Sequence, residues 1–229
     1  MRCDVATADE LGSRLRWIDT SERADHALLS ESDRCAYLSA YAAGRPRDRL
    51  PSNNLIHSFK CRPSVARDDA RWARRKRQAV LRLASCLRCA VTRDWVERRT
   101  WVPVPPSKQW GDPDFDDRLS DMLSLAFAGY DLDLRRLLRQ SRSMESDHAA
   151  GDRLSESTLY DLLQIDRALL DRQPLREQIV VFDDVLTSGK HFKCCERRLR
   201  EQRPQASIIG MFLVRRVPER ARRSLGYPG

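Results

Sequence analysis

No apolar run in these 229 residues approaches the roughly 20 needed to cross a bilayer. No apolar stretch follows Met1-Arg2-Cys3-Asp4-Val5, as a secretory signal would require. A cytoplasmic protein with no membrane partner is therefore expected. There is no Gly-x-x-x-x-Gly-Lys loop for a triphosphate chain, no internal repeat and no low-complexity linker. Histidine is scarce, four in all, and His26 and His57 have no partner at metal spacing, so both are expected to be structural. Seven cysteines, an odd and scattered set, suit a reducing compartment. The only C-x-x-C, Cys86-Leu-Arg-Cys89, has no second Cys/His pair at zinc spacing and reads as helix-face thiols. Adjacent Cys194 and Cys195 likewise lack two further ligands.

What is present is charge. Hydrophobic residues make up 41% and charged residues 33%, the composition of a globular chain with a heavily charged surface. The length suffices for a full core. Residues 1–100 carry 21 Lys and Arg against 13 Asp and Glu, and the remainder carries 21 against 20. The excess lies in Lys60–Arg99, where Arg71, Arg74, Arg75, Lys76, Arg77, Arg82 and Arg88 cluster. Such a stretch suits a nucleic acid or nucleoprotein partner. It equally suits a solvated helix face in an arginine-rich chain, and both readings stay open.

The amino-terminal residues 1–99 read as a helical, basic region. Ser30 looks like a cap, with acids behind it, opening a helix whose apolar face is Cys35, Leu38 and Tyr41/Ala42, ended by Gly44 and Pro46. A second helix starts at Ser52-Asn53-Asn54 and runs to Phe59. A third, led by Asp68-Asp69, extends to about Val91, with the stripe Trp72, Val80, Leu83/Ala84, Leu87. Residues 100–229 read as α/β. Thr100-Trp101-Val102-Pro103-Val104 is a short strand leaving the sheet at its prolines. Phe115–Ala128 is a helix and Asp131–Arg139 is either strand or helix. Gln140–Arg153 is a polar loop, and Thr158–Leu170 is a helix. Gln178–Asp183 and Ala206–Val214 are buried strands joined through a helix over Phe192–Gln202, a parallel crossover.

The run Ile179-Val-Val-Phe182-Asp183-Asp184-Val185-Leu186-Thr187-Ser188-Gly189-Lys190-His191 is the most informative. A buried strand enters two adjacent carboxylates, then a Thr-Ser-Gly turn at a helix start. Free backbone N–H groups and a positive dipole end make such a turn a phosphate cradle. Paired acids beside it suit a ribose diol or a metal.

This run resembles the phosphoribosyl-diphosphate (PRPP) signature of type I phosphoribosyltransferases, which usually have Thr or Ser where His191 stands. Trp101-Val-Pro-Val-Pro105-Pro106-Ser107-Lys108 is similar to the diphosphate-loop strand of the ComF-like group. Arg139, Arg142, His148 and Arg153 are similar to that group's mobile hood. Its Arg-Gly-Phe-Asn-Gln run is replaced here by the acidic Asp112–Arg118. The leader, including Tyr37, Tyr41, Asn54, Ile56, Phe59 and Lys60, is similar to helical leaders fused to phosphoribosyltransferase-like domains, some in retron or phage-defence loci.

The resemblance implies a parallel-sheet phosphoribosyltransferase-like domain over 100–229. It implies Asp183 and Asp184 as catalytic residues that accept from the ribose hydroxyls, and Val185 through His191 as the phosphate loop. Pro105 to Lys108 would be the diphosphate loop. Mg2+ would be held near Asp183 and Asp184 through water. The implied ligand is PRPP or a nucleoside monophosphate, and the implied reaction is transfer of phosphoribose to or from a nitrogenous acceptor. A non-catalytic nucleotide-sensing module or a defence effector is the alternative, and a homodimer stays open.

Overall fold

The computed structural model describes residues 14–42, 51–144 and 155–218. Ile179 through Phe182 are wholly buried, as a strand flanked by parallel neighbours and covered on both faces must be. They belong to β7 (Gln178–Leu186), which pairs in parallel with β8 (Ser207–Val217) on one side and β3 (Thr100–Pro103) on the other. β4 (Asp133–Leu134) pairs in parallel with β3. β2 (Arg34–Ala42) pairs in parallel with β8, and β1 (Arg16–Trp17) closes that edge antiparallel to β2. The result is a six-stranded, mostly parallel sheet in the order β1-β2-β8-β7-β3-β4. β5 (Leu138–Gln140) and β6 (Leu163–Ile165) form a separate antiparallel pair.

Nine helices are seen among the described residues: α1 (Thr20–Arg23), α2 (Pro51–Phe59), α3 (Pro63–Asp68), α4 (Ala70–Ala90), α5 (Arg93–Glu97), α6 (Arg118–Ala126), α7 (Glu156–Leu162), α8 (Arg167–Arg172) and α9 (Lys190–Gln202). α4 begins where the sequence suggests, with the Asp69 carboxylate accepting from the Arg71 N–H at 2.8 Å. Of the expected stripe, Leu83, Ala84 and Leu87 are buried, together with Ala79 and Cys86, whereas Trp72 and Val80 are only half-buried. Phe182 packs on Trp101, and Trp101 on Phe127 just beyond α6. On the opposite face Phe192 of α9 meets Phe212 of β8 edge-on. No described helix is long and apolar enough to cross a membrane.

Three sequence expectations are corrected. The helix expected from Ser30 through Ala42 is a turn followed by β2. Ser30 and Asp33 do interact: the Ser30 N–H and hydroxyl both donate to the Asp33 carboxylate, at 2.6 and 2.9 Å. The Asp33 N–H, however, closes on the Ser30 carbonyl at 3.1 Å. Ser and Asp serve a tight turn as readily as a helix cap. Cys35, Ala36, Tyr37 and Leu38 are all buried, a two-faced burial that a surface helix does not have. The amino-terminal region is thus not wholly helical, and two of its strands lie in the same sheet as residues 100–217. The helix over Thr158–Leu170 is interrupted by β6, and Asp166 then caps α8 through the Leu169 N–H at 3.2 Å. The helix from Phe115 starts only at Arg118, because the acids before it are engaged elsewhere. Asp131–Arg139, left between strand and helix, contains β4 and the start of β5.

Candidate functional site

β3 and β7 run parallel with Pro103 opposite Phe182, and the Val104 N–H donates to the Phe182 carbonyl at 2.8 Å. The chain after β3 therefore leaves the sheet at the edge where Asp183 and Asp184 lie. β4 spans only Thr100 and Trp101 on the far side of β3, so the prolines come where that neighbour has ended. This is the carboxyl edge of the parallel strands, where open α/β sheets bind ligands.

β7 continues through the acid pair to Leu186, with Asp183 opposite Phe212 and Leu186 opposite Arg215. Adjacent strand residues point to opposite faces, and the two carboxylates accordingly meet different surroundings. Asp184 is buried. One oxygen accepts from Lys60 at 3.1 Å, and the other from Arg118 at 2.7 Å. Arg118 also reaches Asp116 at 3.1 Å, and Asp116 pairs with Lys76 at 2.5 Å. Burial alone would raise the Asp184 carboxyl, but Lys60 and Arg118 hold it well below the usual range. Asp183 has no such cation. Burial, then the negative charge of Asp184, push it up to about 7. It accepts the Asp184 N–H at 2.7 Å.

The acidic segment before α6 is a set of ties. Asp112 accepts from the Ser143 hydroxyl at 2.6 Å, and Asp114 accepts from the Ser64 N–H of α3 at 2.8 Å. Asp116 joins Lys76 to Arg118, and Asp117 pairs with Arg136. Asp114 and Asp116 fasten the amino half to the sheet edge, while Asp112 and Asp117 tie the segment to Ser143 and Arg136. Sequence reasoning missed Lys60 and Arg118 as partners of the acid pair. The one available signal was a lone arginine closing an acidic run.

The turn after β7 begins at Thr187. Val185 and Leu186, expected in the phosphate loop, are still strand residues. Gly189 caps α9 in the left-handed region, φ +88°. A Cβ there would meet the Leu29 side chain at 2.8 Å. The segment His26–Leu29 lies over this turn: the Leu28 N–H donates to the Ser188 carbonyl at 2.9 Å, and His26 Nδ1 bonds the Thr187 carbonyl. Both bonds use carbonyls of the turn, not its amides. His26 is buried, which lowers its pKa and keeps the ring neutral. Its role in the fold is the expected structural one.

In the other loop, Pro105, Pro106 and Lys108 are half-buried and Ser107 is exposed. The Met144 N–H donates to the Ser107 carbonyl at 2.8 Å, and the Gln109 N–H to the Ser143 hydroxyl at 3.1 Å. The start of the expected hood is thus tied to the expected diphosphate loop, and Arg142 stands exposed beside that tie. Arg139 is turned to Asp166, the cap of α8. His148 and Arg153 lie outside the described residues.

Among the described residues no group of three or more His, Cys, Asp or Glu could hold a metal ion. Asp184 already has a cation on each oxygen, and Asp183 faces the other side of the sheet. The acid pair does not offer a protein cage for Mg2+. No family model matches the chain, and no curated protein matches it.

Proposed function

We propose that the carboxyl edge of this sheet binds a phosphoribosyl compound, PRPP or a nucleoside monophosphate, and that the chain is a phosphoribosyltransferase-like protein. One observation carries the reading. The Thr187-Ser188-Gly189 turn at the head of a 13-residue helix sits one strand away from the Pro105–Lys108 loop, at the same edge. A helix N-terminus and a left-handed glycine suit a 5-phosphate. The neighbouring loop, with Lys108 and the nearby Arg142, suits a second anionic group. Asp183 stands between them to accept from the ribose hydroxyls.

In the transfer reading, a nitrogen acceptor attacks the anomeric carbon of PRPP. The bond from that carbon to the diphosphate oxygen breaks, the diphosphate leaves, and the nitrogen's proton passes to water. The chain contributes positioning and charge complementarity. Mg2+ enters only as the counter-ion carried by the diphosphate, since the acid pair does not cage it. A second reading, a non-catalytic module that senses such nucleotides, is favoured by one feature: Lys60 and Arg118 already neutralise Asp184.

Calorimetric titration tests the binding claim. PRPP or a nucleoside monophosphate should bind in the presence of Mg2+, and the nucleoside without its 5-phosphate should not. Asp183→Asn should weaken that binding in a folded protein. Equal affinity for nucleoside and nucleotide, or no binding of any ribose 5-phosphate compound, would sink the assignment. Diphosphate release from PRPP with a panel of nitrogenous bases separates the transferase from the sensor.

A further inference from the structure

A groove of about 630 Å³ lies between α2 and α4, on the amino half. Among the described residues that line it, none is acidic. His57 and Trp72 both line it, with ring centroids 5.5 Å apart and planes inclined at 51°. At that separation the two rings touch, and the exposed side of the pair, where His57 faces solvent, is a surface on which a flat ring can stack. Asn54 of α2 and Gln78 of α4 supply amides that can donate to and accept from a base edge.

The rim is cationic. Arg71, Arg75, Gln78 and Arg82 follow each other at intervals of four, three and four residues, one stripe of a helix. Eleven residues at about 1.5 Å per residue make that row roughly 16 Å long. The Arg75 guanidinium lies 5.3 Å from the centre of the Trp72 ring. Arg71 is almost fully exposed, its side chain at 89%. Arg71 also lies 3.6 Å from the carboxylate of Asp69, at the head of the same helix. In the α2–α4 groove the aromatic pair and the arginine row adjoin.

We propose that this groove binds single-stranded nucleic acid, with a base stacking on the His57–Trp72 pair and the neighbouring phosphates lying along Arg71, Arg75 and Arg82. Aromatic platforms beside a cationic track are how sequence-tolerant single-strand binding works. Stacked bases of a duplex do not present a face to such a platform. None of the groove's described lining residues belongs to the proposed phosphoribosyl site.

Fluorescence anisotropy of a labelled ten-nucleotide oligothymidylate, read between 50 and 200 mM salt, tests this. Affinity should fall by about 0.7 logarithmic units per log unit of salt for each phosphate neutralised. Arg71→Gln with Arg75→Gln and Arg82→Gln should make that slope shallower by about two units. Trp72→Ala should weaken binding roughly tenfold with the slope unchanged, and Trp72→Phe should restore most of it. The arginine variants change the rim, so they carry the test should Trp72→Ala fail to fold. A duplex of the same length, or thymidine monophosphate, should bind much more weakly. No binding at 50 mM salt, equal affinity for the duplex, an unchanged slope in the triple variant, or full affinity in folded Trp72→Ala would each overturn the proposal.

Discussion

Two neighbouring aspartates of one strand have opposite effects on the fold. The pattern Asp183-Asp184 is plain in the sequence, and mutual repulsion is the natural expectation for such a pair. It holds for Asp183 only, because alternation along β7 takes Asp184 to the face where Lys60 and Arg118 wait. An unfolded aspartate titrates near 4, and Asp183 in the fold is raised to about 7. Between those values the folded chain holds a proton that the unfolded chain has lost, so stability falls as pH rises from about 4 to about 7 and is level above. Asp183→Asn should remove that slope and be more stable than the parent at pH 8, by about 1–3 kcal/mol once solvent screening is allowed for. Urea midpoints at pH 5 and pH 8 would show it, and parallel curves for the two proteins would contradict it. Gly189 gives a second residue-scale test. A side chain there adopts a left-handed backbone, at about 1–2 kcal/mol, and also meets Leu29 at 2.8 Å. Gly189→Ala should lower the melting temperature by several degrees. Adding Leu29→Ala should then cost less than the same change costs in the parent, a coupling that a double-mutant cycle reads directly. Independent, additive losses would mean that Leu29 is not the contact that matters. The glycine turn was legible in the sequence; its neighbour, 160 positions earlier, was not.

Among the elements, α4 and β7 were legible and β2 was not. α4 carries a capping aspartate and 21 residues of helical periodicity, a signal long enough to survive its arginines. β2 has apolar residues that satisfy a helical stripe and a buried strand equally, and its preceding Ser and Asp suit a cap or a turn. Only the presence of β8 beside it decides, and that is tertiary information. The acidic segment before α6 read as a departure from a family pattern. In the fold it is the fastening between α3, α4 and the sheet edge, through Asp114, Asp116 and Arg118. Arg118 is the pivot, since it holds Asp116 and Asp184 together. Removing one partner of a buried ion pair costs about 3 kcal/mol or more. Arg118→Met should therefore destabilise by roughly that amount, and Lys60→Met by clearly less, because Lys60 is one-third exposed. Chemical denaturation of the two variants gives the ordering. The reverse ordering would show that Lys60 is the chief partner of Asp184.

For the whole molecule, the sheet order is the governing fact. The composition shift near residue 100 marks a real change of texture, from basic and helix-rich to α/β, yet the sheet spans both sides of it. Residues 100–229 expressed alone would present β8 as a bare apolar edge, since Ile209, Met211, Phe212 and Val214 lie in the stretch that pairs with β2. Such an edge is an aggregation site. That fragment should be insoluble or should recruit a second copy through β8, as light scattering would report. A soluble, monomeric and well-folded fragment would show that β2 is dispensable. Fragment and full chain also differ in time. β2 leaves the ribosome about 165 residues before its partner β8, and at 5–20 residues per second this interval is roughly 8–33 s. For that whole period a strand buried on both faces in the finished protein has only the two-residue β1 as a sheet neighbour. The nascent amino half is thus a client for whatever shields apolar chain during synthesis, and the Thr187–Gly189 turn beneath His26–Leu29 closes only after that wait is nearly over.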